Sequence, residues 1–537
     1  MAAVVNITIN GRPWQAKPGQ SVLKAALDAG VYIPHFCYHP ALTVEGNCRM
    51  CLVEVSPGPK KPVISCGTTV SEGLAVTTDS QTLRETRKAI LSFLLMNHPL
   101  DCPVCDKSHE CPLQDITYAY GPVASLQWEA GLHEVKRRYV RTDIAEKLFV
   151  EMDRCIHCTR CVRYFRQKVG VAGFGRTLRN AALHIDAPFG LPGTDYELNA
   201  ADICPVGALG DKSFRFRQRV WDLTPRPSLC AGCSVGCNIT AWVKEKRIVR
   251  ITPRLNEAVN SHWMCDRGRT LMAQANAPDR GTTPLVRIPG SPRYATGLGE
   301  ALAATRQAVE ETAAAHGAHR VALWLSPSLS LEALYLAAHL ARDGVLSGCR
   351  VVMTPGCNPL PVLHPDEAPL PRSLASLDHT PDSGAAGLLG IPAGGPGTLA
   401  DLVTDIEAGE VKALLVLGDD LFDLKRGPGF DAAALPVPQR LSKALETLPF
   451  LLCAGMFPDT GTAAAATVYL PLKSHFESTG SFVNRQGTIQ RFAPVMARED
   501  QERSLEDHAL LAALLTVLRP GAPAPDPAGF LPTGEAD

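Results

Sequence analysis

Fifteen of the chain's eighteen cysteines lie at or before Cys265, in four tight groups parted by long cysteine-free stretches. Each group has to be gathered at one place, so these positions constrain the fold more than any hydrophobic pattern does. The N-terminus, MAAVVNITINGR, has no basic segment leading into an apolar one, and no stretch approaches 18 apolar residues. The longest apolar candidate, Ala509 to Leu518, reads as an amphipathic or core helix. A soluble chain in a reducing compartment is expected, reaching a membrane only through a partner. There, grouped cysteines are more often metal ligands than disulfides. A net charge of −1 gives no reason to expect nucleic acid as a partner. The 537 residues call for several cores.

The first group is Cys37, Cys48, Cys51 and Cys66, spaced C-x10-C-x2-C-x14-C. Val4 to Ile9 alternates as a strand does, Asn10-Gly11 marks a hairpin, and a second strand runs toward Pro18. Ser21 caps a helix that Gly30 ends. Strand, turn, strand, helix and four cysteines resemble a β-grasp [2Fe–2S] ferredoxin domain, with wider spacing than the plant type. Zinc is the alternative for four thiolates. The second group is His98, Cys102, Cys105 and Cys111, reached by a leucine-rich helix over Thr82 to Met96. Three cysteines leave one position of a four-iron cluster open, and the imidazole of His98 fills it. The segment H-P-L-D-C-P-x-C resembles the His/Cys3 [4Fe–4S] site of complex I and of iron hydrogenases. His109 is the rival ligand.

The third group is Cys155, Cys158 and Cys161 in C-x2-C-x2-C, with Cys204-Pro205 far downstream. No second such run precedes Cys204, so all four share one [4Fe–4S] cluster. The fourth is Cys230, Cys233, Cys237 and Cys265, spaced C-x2-C-x3-C-x27-C. It opens a domain after the linker Leu223 to Ser228 and resembles the cluster domain of molybdopterin oxidoreductases. One [2Fe–2S] and three [4Fe–4S] clusters follow. Between Lys136 and Arg179 the chain is basic, with Arg154, Arg160, Arg163 and Arg166. Two readings stand open: a solvated face, or cations that offset anionic clusters and favour their reduction. Cys349, Cys357 and Cys453 read as buried small residues or loop positions.

From about Gly297, alanine-rich helices alternate with short apolar strands: helix Gly297–His316, strand Val321–Leu325, helix Leu329–Arg342, strand Ala413–Leu417. That alternation predicts a parallel α/β layer. Asn358 to Gly397 is Pro- and Gly-rich and reads as loop, and the tail from Pro520 as disordered. Val468 to Phe492 resembles the E-x-x-G-x-x-x-N-x-x-G stretch of molybdopterin enzymes. The region is short for such an enzyme, and Cys357 in MTPGCNP is the one candidate metal ligand in it. A shortened, degenerate domain without molybdopterin is expected.

The order of these motifs resembles the family of the large iron–sulfur (75 kDa-type) subunit of bacterial NADH:quinone oxidoreductase (complex I), a translocase. The resemblance implies a multidomain α+β and α/β fold with these parts: residues 1–78, a [2Fe–2S] β-grasp domain; 79–122, the His/Cys3 [4Fe–4S] domain; 123–222, a [4Fe–4S] ferredoxin-like domain; 223–280, a molybdopterin-type [4Fe–4S] domain; 281–519, the degenerate α/β region; and 520–537, a tail. It implies an electron relay from NADH and FMN of a partner toward quinone, coupled in the holoenzyme to proton translocation. No complete active site is expected in this chain alone. The partners would be an FMN/NADH-binding flavoprotein, a [2Fe–2S] subunit, a subunit with two [4Fe–4S] clusters and a 49 kDa-type quinone-site subunit. The chain would sit peripherally on the cytoplasmic side of the inner membrane. The His98 and Cys155 clusters would form the main wire, with the Cys37 cluster off toward the flavoprotein and the Cys230 cluster stabilising. No G-x-G-x-x-G or P-loop appears, so NADH binding here is unsupported. A molybdenum or tungsten formate dehydrogenase is the alternative. A soluble hydrogenase subunit would lack the Cys230 domain.

Overall fold

The computed structural model describes residues 4–122, 141–178, 184–187, 190–191, 193–288, 290–354, 382, 385–392, 398–423, 438–497, 504–519, 521 and 524–529. Cys357 lies outside them. The chain divides into two compact units: Met1–Leu223 with Pro365–Pro371, and Thr224–His364 with Arg372–Asp537. Among the described residues, no helix is long and apolar enough to cross a membrane.

The first unit opens on the hairpin Val5–Ile9 and Arg12–Ala16. Asn10 (φ 50°) and Gly11 (φ 78°) both take the left-handed conformation that a two-residue hairpin turn demands. The helix Val22–Asp28 follows. Ser21 Oγ accepts from the Lys24 amide, and Gly30 (φ 73°) ends it. Ala75–Thr77 pairs in parallel with the first strand, making a mixed five-stranded sheet with Leu52–Ser56 and Val63–Ile64. Ile7, Ile9, Val22, Leu23, Val53 and Val76 fill its core, and Cys51 and Cys66 lie within that same core. The helix Gln81–Leu95, capped by Ser80, then carries the chain toward His98. A second small sheet joins Thr142–Asp143, Leu148–Val150 and Leu209–Asp211. Between its strands run the helix Arg160–Tyr164, widening into a π turn at Phe165–Val169, and the helix Asn199–Ile203.

The second unit begins with an antiparallel sheet of Thr224–Leu229, Asn238–Lys244 and Arg247–Pro253. Its main body is a seven-stranded sheet in the order Tyr294–Ala295, Leu285–Val286, Val468–Pro471, Phe450–Gly455, Ala413–Leu417, Val321–Leu325, Arg350–Met353. The last five pair in parallel. All five residues of VALWL and of ALLVL are buried, because helices cover both faces. Leu298–His316, Leu331–Arg342 and Asp507–Leu518 enclose one core, and Thr398–Glu407 with Pro438–Thr447 the other. The helix read from Ala509 belongs to the first of these cores through Leu510, Leu511, Leu514, Leu515 and Leu518. Cys453 is buried within the second, and Cys349 is half-buried at the margin of the first.

Candidate metal-cluster sites

The structure brings the fifteen cysteines up to Cys265 together in four sets, and none of the described cysteines is in a disulfide. In the first set, the Cys37 thiol hydrogen-bonds with those of Cys48 and Cys66, and Cys66 with Cys51. The Cys48 and Asn47 amides also point at Cys37. The Cys48 thiol, then that of Cys66, holds Cys37 far below the usual thiol range, while Cys48 and Cys66 are pushed up. The Cys66 thiol brings Cys51 down to about 7.

The second set rings an open-sided pocket lined by His98, Cys102, Cys105 and Cys111, with Asp101, Arg154 and Gly207 among its walls. The last turn of the preceding helix extends to His98, whose amide donates to Leu94 O at 3.2 Å. His109 is not in this wall. Its ring stands edge-on to Trp221, with centroids 6.1 Å apart. Burial raises Cys105 and takes Cys111 up to about 11. Cys102 is the exposed member.

The third set rings a small cavity lined by Cys155, Cys158, Cys161 and Cys204, with Val150, Ile185 and Leu209 beside them. Burial pushes Cys158 up to about 12, against the pull of the Arg160 and Arg163 cations. In the fourth set, Cys230, Cys233 and Cys237 are buried and Cys265 is half-buried. The Cys230 amide donates to Cys237 O at 2.8 Å, closing the loop. Burial takes Cys233 up to about 11, with Arg267 and Arg485 opposing.

Sequence spacing did not reveal how the loops aim their thiols. Arg49 (φ 57°), His109 (φ 76°), His157 (φ 53°) and Thr159 (φ 62°) take left-handed conformations inside or beside three of the sets, and Gly236 (φ 65°) does so in the fourth. Such conformations cost a side-chain-bearing residue about 1–3 kcal/mol and persist only where the surroundings impose them. Nor did spacing reveal the arginines' partners. Arg154 and Arg163 are each 6% exposed, whereas Arg166 is solvated. Lys136 and Arg179 lie outside the described residues.

These walls fit iron–sulfur clusters. Glycine stands where a side chain would intrude: a Cβ at Gly207 would lie 2.1 Å from Cys105 Sγ, and one at Gly268 would lie 2.8 Å from Cys230 Sγ. Arg154, in the wall of the second cavity, has a buried Nε with no hydrogen-bond partner among the described residues, a donor that an anionic cluster would satisfy. No three His, Cys, Asp or Glu among the described residues are placed to hold a single ion. The second and third sets surround a space instead.

The molybdopterin-like stretch has structural work throughout. Glu477 pairs with Arg280 at 2.5 Å and caps Ser474. A Cβ on Gly480 would meet Phe492 and Ser330 at 2.8 and 2.9 Å. Asn484 Oδ1 accepts from the amides of Gln486 and Thr488, and Gly487 (φ 78°) completes that turn.

A family model described as a 2Fe-2S iron-sulfur cluster binding domain matches residues 2–81. The NADH-ubiquinone oxidoreductase-G iron-sulfur binding region matches 87–124, and the NADH-quinone oxidoreductase subunit 3 ferredoxin-like domain matches 146–210. The molybdopterin oxidoreductase Fe4S4 domain matches 224–277. Each match contains one of the four sets. The NADH-ubiquinone oxidoreductase 75 kDa subunit of Reclinomonas americana is 40% identical over 270 residues, 50% of this chain and 38% of that protein. The mitochondrial NADH dehydrogenase [ubiquinone] iron-sulfur protein 1 of Solanum tuberosum is 40% identical over 267 residues, 50% of this chain and 35% of that protein. Over half its length, the chain is homologous to the large iron–sulfur subunit of NADH-quinone oxidoreductase. The match to these relatives spans less than two-fifths of their own length. A crystal structure of an NAD+-reducing [NiFe]-hydrogenase is 30% identical, covers 41% of this chain and 92% of its own, and has a TM-score of 0.35, too low to speak to the fold.

Proposed function

We propose that this chain is an iron–sulfur electron-relay subunit of an NADH:quinone oxidoreductase of the translocase class. It would hold one [2Fe–2S] cluster on Cys37, Cys48, Cys51 and Cys66, and three [4Fe–4S] clusters. These sit on His98, Cys102, Cys105 and Cys111; on Cys155, Cys158, Cys161 and Cys204; and on Cys230, Cys233, Cys237 and Cys265. The observation that carries the reading is four converging ligand sets, each inside a matching cluster-binding domain, the domains following one another along the chain.

When bound, the clusters supply one-electron oxidation and reduction without bond making. The chain's own residues do the rest. Thiols and His98 hold iron, burial keeps water from the third and fourth sets, and amides and arginines turned toward the sulfurs set the local charge. NADH oxidation on FMN, quinone reduction and proton translocation belong to partner subunits: a flavoprotein, a [2Fe–2S] subunit, a two-cluster subunit and a quinone-site subunit. The chain would sit at the cytoplasmic face of the membrane through them.

The C-terminal region carries no molybdopterin in this reading. Its signature residues are engaged in an ion pair, a packing contact and a turn. At the carboxyl ends of the parallel strands, where such sheets hold ligands, Asp419 accepts from Trp324 and Thr354, and Asp420 from Thr462. Metal analysis of anaerobically purified protein is the test. About fourteen irons per chain is the expected content of one two-iron and three four-iron clusters, with no molybdenum or tungsten. One molybdenum or tungsten per chain would favour the formate dehydrogenase alternative, and colourless protein with zinc would end the redox reading.

A further inference from the structure

We infer that Arg163, assisted by Arg160, is a positioning residue shared by two cluster sites. It fastens the Cys37 loop to the Cys158 turn, and its buried cation favours the reduced state at both. This rests on the function proposed above.

The geometry is specific. Arg163 Nη2 donates to Cys37 O and, at 3.4 Å, to Cys158 O, while Nη1 donates to Thr43 O. Arg160 repeats the arrangement one residue over. Its Nη2 donates to Tyr38 O at 2.6 Å and its Nη1 to Ile203 O at 3.2 Å. Each guanidinium therefore takes one carbonyl at or beside a first-set ligand and one at or beside a third-set ligand. Weaker stitches run alongside: Asn47 Nδ2 donates to His157 O, and Gln167 exchanges two hydrogen bonds with Thr43. The Cys37 loop is thus stitched to the loops of the third set.

Carbonyl stitching alone could be done by neutral donors. A guanidinium adds a permanent charge to a buried place, where Coulomb interactions are weakly screened. Reduction adds one electron to an already anionic centre, so a fixed cation stabilises the reduced form more than the oxidised form. Arg160 faces the thiols of Cys158, Cys204 and Cys37 together, so the charge acts on both sets.

The test is an EPR-monitored redox titration of the purified holoenzyme, wild type against Arg163→Gln and Arg163→Lys, with the solvated Arg166→Gln as control. Arg163→Gln should keep both signals and shift the reduction equilibria of both clusters toward the oxidised form by at least tenfold, 59 mV for a one-electron couple. Arg163→Lys should recover most of that shift, since charge is kept and the fork lost. Unchanged potentials with both clusters loaded would overturn the inference, and so would a shift at the third set alone or a failure of Lys to restore it. If Arg163→Gln does not load, Arg160→Gln leaves the Arg163 stitches intact and is judged by the same criterion. Wild-type protein without the two signals would instead overturn the proposed function itself.

Discussion

Gly207 lies so close to the Cys105 thiol that a Cβ at position 207 would sit 2.1 Å from Sγ. The segment after Cys204 is a wall one residue thick. Cys204, Val206 and Ala208 line the third cavity, whereas Gly207 lines the second and Pro205 O accepts from Cys111 Sγ at 3.6 Å. Gly207→Ala should therefore push Cys105 out of place and lose the second cluster while the third remains. The readout is iron content with the EPR spectrum of the reduced protein, about four irons fewer and one [4Fe–4S] signal gone. Full loading of both would mean the wall is not shared.

His98 stands in the wall of the second cavity and His109 does not. His98→Ala should lose that cluster. His98→Cys should retain it at a more negative potential, because a thiolate gives the centre one more negative charge than a neutral imidazole. A redox titration decides between them. An unaltered spectrum in His98→Ala would return the ligand role to His109.

The side chains that the structure brings together were legible in sequence because they follow local spacing, with a remote cysteine added in the third and fourth sets. The same holds for the core strands: VALWL and ALLVL are apolar without alternation, the mark of burial on both faces. Contacts made at long range were not legible. Arg163 showed only as part of a basic stretch, and its partners Thr43 and Cys37 lie 120 and 126 residues upstream. The solvated-face reading suits Arg166 and fails for Arg154 and Arg163 because those two are buried against the sites. Left-handed residues such as Thr159 escape pattern reading, since the strain is imposed by the packed loop rather than by the side chain.

Arg280 and Glu477 form an ion pair with side chains 0% and 2% exposed. Arg280 also donates to Ala275 O at 2.9 Å, and Glu477 accepts from Ser474. Removing one partner strands a buried charge, at a cost of about 3–5 kcal/mol, whereas replacing both with apolar residues costs far less. Arg280→Met should lower the urea midpoint of the full chain, and adding Glu477→Leu should restore part of it. A double variant whose loss equals the sum of the singles would show that the pair is not coupled.

Asp382 is fully buried in the second unit. Its Oδ1 accepts from the Val483 amide at 2.6 Å, and its Oδ2 has no hydrogen-bond partner among the described residues. Burial first, then the nearby carboxylates of Glu332 and Asp507, hold this acid well above the usual range. The unfolded chain releases the proton near pH ~3.9, while the folded chain keeps it to higher pH. Across that window the folded state binds the extra proton, so unfolding free energy falls as pH rises, and the group is least unfavourable below the unfolded value. Asp382→Asn keeps the acceptor for Val483 and removes the titration. Its stability relative to the parent should therefore climb steadily from pH 5 toward neutrality and level off only above the raised folded value. Urea midpoints of the two proteins at pH 5, 6, 7 and 8 measure this directly. Parallel curves would show that Asp382 does not titrate differently in the folded chain.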